Sequence, residues 1–200
     1  FRCHICAFIR VLINRDFNFG PATFDRKHVF VSTYTYSLPF FRKMNGFAKV
    51  LLDGYEISGI TRYQSGRPLT VTAAATVGGT RRADIVSDDV YIKDGRQWLN
   101  PAAFAGVTTG RLGNSSVGIA RGPDFFITDF SVRKLIKFGE SKSLRLQGDV
   151  FNAFNRNNFS GVNTTCTSNA PTGGCNSPGF GTLTSSGPGR SIQLGIKFLF

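Results

Sequence analysis

Apolar and polar residues alternate with a period of two in five blocks of the chain. Such alternation is typical of strands that have one apolar and one polar face. The blocks run from His28 to Leu38, from Gly54 to Gln64, from Phe126 to Lys134, from Leu144 to Phe151 and from Ser191 to Phe200. The pattern therefore predicts an all-β chain of antiparallel strands.

The connections between these blocks alternate between short and long. Residues 39–53 and 138–142 form the short connections, whereas about 65–124 and about 155–186 form the long ones. A sandwich in water would also have two unlike faces, so facing alone does not identify the fold. Outer-membrane β-barrels have short periplasmic turns at one rim and long extracellular loops at the other. The loop lengths therefore predict a transmembrane outer-membrane β-barrel with both long connections outside the cell.

The number of strands is too small for a complete barrel. Membrane barrels contain at least about eight strands, and an open sheet in lipid would leave unpaired backbone groups at its edges. We therefore expect an incomplete barrel, with further strands upstream of this C-terminal part. Residues 1–13 are unassigned in this interpretation, as a preceding strand or a non-native end, and residues 14–200 form the barrel segment.

The two faces of the predicted strands differ in chemistry, and a barrel in lipid has an apolar exterior and a polar interior. The candidates for the lumen are Asp129, Arg133, Arg145, Gln147, Asp149 and Lys197. The apolar residues of the last strand are Ile192, Leu194, Ile196, Phe198 and Phe200.

The charge of the chain suggests a different class of protein. With 24 Lys and Arg against 12 Asp and Glu, the formal charge is +12, which would suit a soluble β-domain that binds nucleic acid. Such a domain would interleave cations with stacking aromatic rings on one face. Here strand aromatics such as Phe130 and strand cations such as Arg133 fall on opposite faces. We therefore expect no nucleic-acid partner, and the loop cations would meet lipopolysaccharide phosphates or solvent.

Catalytic and metal-binding patterns are weak. Cys3 and Cys6 flank His4, but a structural zinc site needs four ligands and the other histidine is His28. His28 stands at a predicted strand start, where packing in an aromatic girdle is its simplest role, and the run Gly110–Asn114 lacks the lysine and helix of a phosphate loop. We therefore predict that the protein is not an enzyme and that it holds no cofactor.

Two further cysteines, Cys166 and Cys175, lie in the second long connection. If that connection is extracellular, the two thiols are in an oxidising compartment, where disulfides persist. We predict a disulfide that closes the loop between them, with two unrelated thiols as the alternative.

Six segments, which follow one another in a particular order along the chain, carry a family resemblance. They are F-D-R-K-H-V-F (Phe24–Phe30), G-Y-E-I-S-G-I with Y-Q-S-G-R-P-L-T-V (Gly54–Val71), W-L-N-P-A-A-F (Trp98–Phe104), G-N-S-S-V-G-I-A-R-G-P (Gly113–Pro123), L-R-L-Q-G-D-V-F-N-A-F-N-R-N-N-F (Leu144–Phe159) and F-G-T-L-T-S-S-G-P-G-R-S-I-Q-L-G-I-K-F-L-F (Phe180–Phe200). In this order they resemble the C-terminal barrel of TonB-dependent outer-membrane transporters of the Oar-like branch.

The resemblance implies a barrel of roughly 22 strands with a plugged lumen. An unidentified substrate would bind from outside, and the TonB complex would pull on a plug that lies upstream of this chain. The last strand, ending at Phe200, would be the signal that the barrel-assembly machinery reads. Outer-membrane lipid and lipopolysaccharide would surround the wall. We therefore predict a part of a transporter for energy-coupled uptake, with a passive porin or adhesin barrel as the alternative.

Overall fold

A computed structural model describes residues 18–39, 46, 52–74, 81–108, 112–139, 141–167 and 174–200. The chain forms two compact units, which its strand connections divide between them. The strand unit comprises His28–Gln64, Phe125–Asn158 and Gly187–Phe200. The loop unit comprises Phe1–Lys27, Ser65–Asp124 and Phe159–Ser186.

Strands dominate both units, and a short 3-10 helix spans Pro101–Ala103. In chain order the strands are β1 (Val29–Ser37), β2 (Tyr55–Gln64), β3 (Pro68–Leu69), β4 (Thr72–Ala73), β5 (Arg81–Arg82), β6 (Asp84–Ile85), β7 (Tyr91–Asp94), β8 (Gln97–Leu99), β9 (Phe104–Ala105), β10 (Ala120–Arg121), β11 (Phe125–Phe138), β12 (Lys142–Phe151), β13 (Phe159–Val162), β14 (Thr165–Cys166), β15 (Leu183–Ser186) and β16 (Ser191–Leu199).

The five long strands of the strand unit form one antiparallel sheet in the order β1-β2-β11-β12-β16. These strands coincide with the five predicted blocks, so the predicted all-β, antiparallel fold class is confirmed. The main difference is β11, which continues to Phe138 because its last residue still pairs with Lys142 of β12. In the described residues the sheet is open, with β1 and β16 each paired along one edge.

The register aligns residues of like chemistry across the sheet. One row on the apolar face contains Tyr34, Gly59, Phe130, Val150 and Ile192. Within this row the Tyr34 and Phe130 rings meet edge to face, with centroids 6.0 Å apart. A Cβ atom at Gly59 would lie only 2.5 Å from the Tyr34 hydroxyl oxygen. A glycine is therefore needed at this point of β2, because the Tyr34 ring crosses it to reach Phe130.

Asn152 closes the end of the sheet at which β12 stops. Its backbone has a φ of 50°, a left-handed conformation that asparagine tolerates better than most residues. The Asn152 side chain donates to the carbonyl oxygens of Arg156, at 3.0 Å, and Pro188, at 3.1 Å. The Asn152 backbone N–H donates to Asp129 Oδ1 at 2.9 Å. Asn152 therefore ties the segment after β12 to β11 and to the segment before β16.

A second buried asparagine, Asn158, forms hydrogen bonds in the same region. Asn158 Oδ1 accepts a hydrogen bond from the backbone N–H of Phe126 at 2.9 Å, and the Asn158 carbonyl accepts one from Gly187. Asn155 Oδ1 accepts from the backbone N–H of Arg190 at 3.0 Å. The asparagine-rich run after β12 is therefore a set of strand-end caps, which satisfy backbone donors that the ladder leaves unpaired.

The loop unit has its own apolar core, which the alternation pattern does not predict. Short strand pairs surround it, among them β3 with β10, β6 with β9, and β14 with β4 and β5. The core residues are Leu69, Val71, Ala73, Ala83, Leu99, Ala103, Phe104, Val107, Ala120, Cys166, Cys175 and Phe180. They come from both long connections, so these connections fold as one body rather than as two separate loops.

Candidate functional sites on the loop unit and the polar sheet face

A disulfide joins Cys166 to Cys175 in the centre of the loop unit, with Cα atoms 5.4 Å apart. Both cysteines are fully buried. The Cys166 carbonyl accepts a hydrogen bond from Ala74 N–H at 2.7 Å, and Cys175 N–H donates to the Pro101 carbonyl at 2.8 Å. Each end of this bridge therefore attaches the second long connection to the first, at the positions that the sequence predicts for a disulfide.

Backbone pairing reinforces this link between the two connections. β14 runs parallel to β4, with Cys166 opposite Ala73. Gln97 pairs with Thr182, and the Gln97 side-chain amide donates to the Phe180 carbonyl at 2.9 Å. The Phe180 ring packs edge to face on Phe104, with centroids 5.8 Å apart. The loop unit therefore presents a surface whose shape is set by a packed core.

Trp98 and Arg121, from two of the resembling segments, meet in the loop unit. Trp98 Nε1 donates to the Arg121 carbonyl at 2.8 Å, and Arg121 N–H donates to the Tyr91 hydroxyl oxygen at 2.6 Å. The Arg121 guanidinium forms an ion pair with Asp25 at 2.6 Å. Lys93 Nζ lies 4.7 Å from the Tyr91 ring centroid and 5.5 Å from that of Trp98. These two resembling segments therefore contact each other within the loop unit.

Arg82 is a half-buried cation of the loop unit. Burial lowers the pKa of its guanidinium from the ordinary value, because desolvation penalises the charged form. The guanidinium donates to Asn18 Oδ1 at 3.1 Å. An arginine stays protonated at physiological pH even after such a shift, so Arg82 contributes a fixed positive charge.

The strand register places all the predicted lumen candidates on one face of the sheet, because directly opposed residues share a face. These six residues are Asp129, Arg133, Arg145, Gln147, Asp149 and Lys197. We refer to this face as the polar face. Its assignment to a barrel interior stays a prediction.

Several polar groups on the polar face are paired. Arg133 Nη1 lies 3.3 Å from Glu56 Oε1, in a half-exposed ion pair. The Gln147 amide donates to both carboxylate oxygens of Asp149, at 3.0 and 2.8 Å. Asp129 accepts the backbone hydrogen bond from Asn152 described above. Asp129 is therefore part of the strand-end cap as well as part of the polar face.

The opposite, apolar face of β16 is open. Leu194 is 82% exposed and Ile196 is 77% exposed, and the other apolar residues of the strand are also exposed, namely Ile192, Phe198 and Phe200. An apolar surface of this kind is expected where a protein meets lipid or another apolar partner.

Lys134 is an exception that the alternation pattern does not indicate. It lies opposite Tyr55 and Leu146, on the apolar face, and is only 7% exposed. Its ammonium group lies 4.0 Å from the Tyr55 ring centroid and donates to the Asp53 carbonyl at 3.1 Å. A ring face and a carbonyl oxygen both attract a cation, which explains how a lysine is held on this face.

Some of the sequence predictions fall on residues outside the described ranges. These include the unassigned segment 1–13, and with it the Cys3 to Cys6 motif. His28 is exposed at the start of β1. Across the described ranges, no helix combines the length and the hydropathy that crossing a membrane requires.

The comparisons with known proteins give one finding. A family described as "Outer membrane beta barrel domain" matches residues 7–193, which is nearly the whole chain. The comparisons with curated proteins and with solved structures give no match.

Proposed function

Because the chain belongs to the outer membrane beta barrel domain family, we propose that it forms part of the wall of a TonB-dependent transporter. Membership in this family places the protein in the outer membrane, as predicted, and is consistent with the open antiparallel sheet. The five described strands supply an arc of such a barrel, since closure takes at least about eight. Dependence on TonB and energy-coupled uptake are the parts of this proposal that go beyond the family.

The loop unit is the observation that carries the proposal. Its two long connections share a core, and a disulfide closes part of the second connection, so they would offer a preformed surface to a solute outside the cell. A preformed surface binds with a smaller entropic cost than loops that must order on binding. Uptake of a scarce solute needs such binding, whereas passive diffusion through a pore does not.

The resemblance to TonB-dependent transporters adds support at particular residues. The segments around Trp98 and Arg121 carry that resemblance, and they contact one another in the loop unit. The asparagine-rich segment after β12 also belongs to it and supplies the strand-end caps. Residues that resemble the family therefore have defined contacts in this chain.

A passive porin or an adhesin is the competing proposal for the same barrel. Planar-bilayer recording of the full-length protein separates a porin from a plugged transporter. We expect no conductance across the bilayer in potassium chloride, and a conductance only after urea unfolds a plug. Steady open-channel conductance without urea would contradict the proposal, and a known porin reconstituted in parallel provides the control.

Binding to TonB tests the energy-coupling part directly. The periplasmic domain of TonB, immobilised on resin, should retain the full-length protein from detergent extracts of outer membranes. A barrel without a TonB-binding segment, such as a porin from the same extract, should pass through. If the protein passes through as well and forms no conductance, the adhesin alternative gains support and the transporter is rejected.

A further inference from the structure

Four cations of the polar face lie near the same end of the sheet. They are Arg133, Lys137, Arg145 and Lys197, all near the ends where short connections join the strands. We refer to these four residues as the basic band. One carboxylate, that of Glu56, lies among them, directly opposite Arg133.

Two cations of the basic band lie directly opposite one another. Arg145 of β12 and Lys197 of β16 are a cross-strand pair, and both side chains are exposed. Within the described residues, neither forms an ion pair or a hydrogen bond. Like charges at directly opposed positions destabilise a sheet. An anion that bridges Arg145 and Lys197 would therefore relieve this repulsion and stabilise the sheet.

The carboxylates farther along the same strands already have partners and lie away from the band. Asp149 accepts from Gln147, and Asp129 accepts from Asn152. Both stand closer to the end of the sheet at which the long connections begin. These two carboxylates therefore do not neutralise the basic band.

The strand unit has a cavity beside the basic band. Its volume is about 440 Å³, and the charged residues of its lining are Asp53, Glu56, Arg133, Lys134 and Arg145. Clefts that hold small molecules typically have volumes of about 300 to 1,000 Å³. The cavity therefore has room for a small organic or inorganic anion next to two guanidinium groups, which bind carboxylates and phosphates with two parallel hydrogen bonds.

We propose that the basic band is a binding site for a small multivalent anion that carries phosphate or carboxylate groups. One acidic group of the anion would lie between Arg145 and Lys197, and another would reach the cavity near Arg133. Glu56 orients Arg133 through their ion pair, so the guanidinium is held in place before the anion arrives. The inference rests on the proposed barrel, in which this face lines the interior, and it does not depend on TonB.

The experiment is calorimetric titration of the purified full-length protein with potassium pyrophosphate and, separately, with potassium citrate. Both titrations are made at an ionic strength held constant with potassium chloride. The test variant is the double substitution Arg145→Gln with Lys197→Gln. Removing both cations takes away the charge-assisted hydrogen bonds to the anion, so binding of the preferred anion should weaken by at least about tenfold. The two titrations distinguish a phosphate site from a carboxylate site.

The matched control is Lys142→Gln, because Lys142 is an exposed cation of the same strand whose position belongs to the apolar face. This variant should keep the affinity of the natural protein within about twofold, since the Lys142 side chain belongs to the face of the sheet opposite the basic band. An equal loss in the control would show a general effect of charge and overturn the proposal. Wild-type protein that binds neither anion would overturn it too.

The double variant should also fold, because it removes a repulsion instead of a favourable contact. Heat-modifiable gel mobility checks folding before each titration. The proposal is wrong if neither anion binds the natural protein and the double variant folds less well than the natural protein. That outcome would indicate that an acidic segment of the protein pairs with the basic band. Because titration requires neither TonB nor an energised membrane, a failure of transporter function and a failure of anion binding would be seen in separate experiments.

Discussion

At the scale of single residues, Asn152 shows how one side chain can secure several segments. It is almost completely buried and satisfies two carbonyl oxygens with its amide nitrogen. Its amide oxygen accepts from Arg156 N–H at 3.1 Å. A smaller side chain would leave these groups unpaired in a buried place, which costs more than the loss of an exposed hydrogen bond.

We expect Asn152→Ala to lower the free energy of unfolding by about 2 to 4 kcal/mol, from the lost hydrogen bonds and the strained φ of alanine. Asn152→Gly should cost less, because glycine tolerates the positive φ. Urea titration of the refolded full-length protein in detergent measures both. Asn157→Ala, at an exposed neighbouring position, should change stability by no more than about 0.5 kcal/mol. Equal effects at residues 152 and 157 would contradict the capping role.

Two neighbouring residues of β16 test which face meets lipid. Leu194→Arg places a cation on the apolar face and should cost about 2 to 4 kcal/mol if the residue lies near the bilayer midplane. Gln193→Arg, one residue away on the polar face opposite Asp149, should have a small effect. Unfolding in lipid vesicles measures the difference between the two variants. Similar costs at both positions would show that the facing is wrong.

At the scale of elements, the five long strands could be predicted because each is long enough to show alternation. The short strands of the loop unit could not. β3 and β4 contain two residues each, which is too short for any period to show, and β10 and β14, with which they pair, lie far along the chain. The shared core of the two long connections therefore has no local signal, apart from the two cysteines of the second connection.

The candidate sites divide in a similar way. The shared face of Arg133, Arg145 and Lys197 follows from strand parity, which the sequence contains. The ion pair of Arg133 with Glu56 depends on the register between β11 and β2, which parity alone does not fix. The position of Lys134 on the apolar face breaks the binary pattern, and its stabilising contacts with Tyr55 and Asp53 are visible only in three dimensions.

The disulfide makes a prediction for the loop unit as an element. A bridge between residues 9 apart stabilises by about 2 to 3 kcal/mol in the chain-entropy model. Replacing Cys166 and Cys175 together by serine should therefore speed cleavage of the loop unit when intact cells are treated with protease. The sheet should keep its heat-modifiable mobility. Wild-type cells treated with a reductant provide the matched comparison, and unchanged cleavage in both would contradict a stabilising role.

At the scale of the whole molecule, membership in the barrel family predicts how the full-length protein behaves in cells. It should sediment with the outer membrane and migrate faster on gels before boiling than after, because an unboiled barrel stays compact in detergent. An inner-membrane protein and a soluble periplasmic protein provide markers for the fractionation. Recovery in the soluble fraction, with retention on immobilised DNA, would instead support the basic nucleic-acid-binding domain.

The position of Lys134 also indicates how deep the proposed barrel wall lies in the membrane. A cation on the lipid side costs little near the membrane interface and much more at the centre, so the hydrocarbon layer should end close to the level of Lys134. From there β11 continues for eight residues to Phe126, which corresponds to about 26 Å along a strand and about 20 Å along the membrane normal at a typical tilt. The apolar belt of such barrels is roughly 25 Å tall. Lys134 therefore fixes the vertical position of this wall in the proposed bilayer, with the ring of Phe126 near the opposite interface.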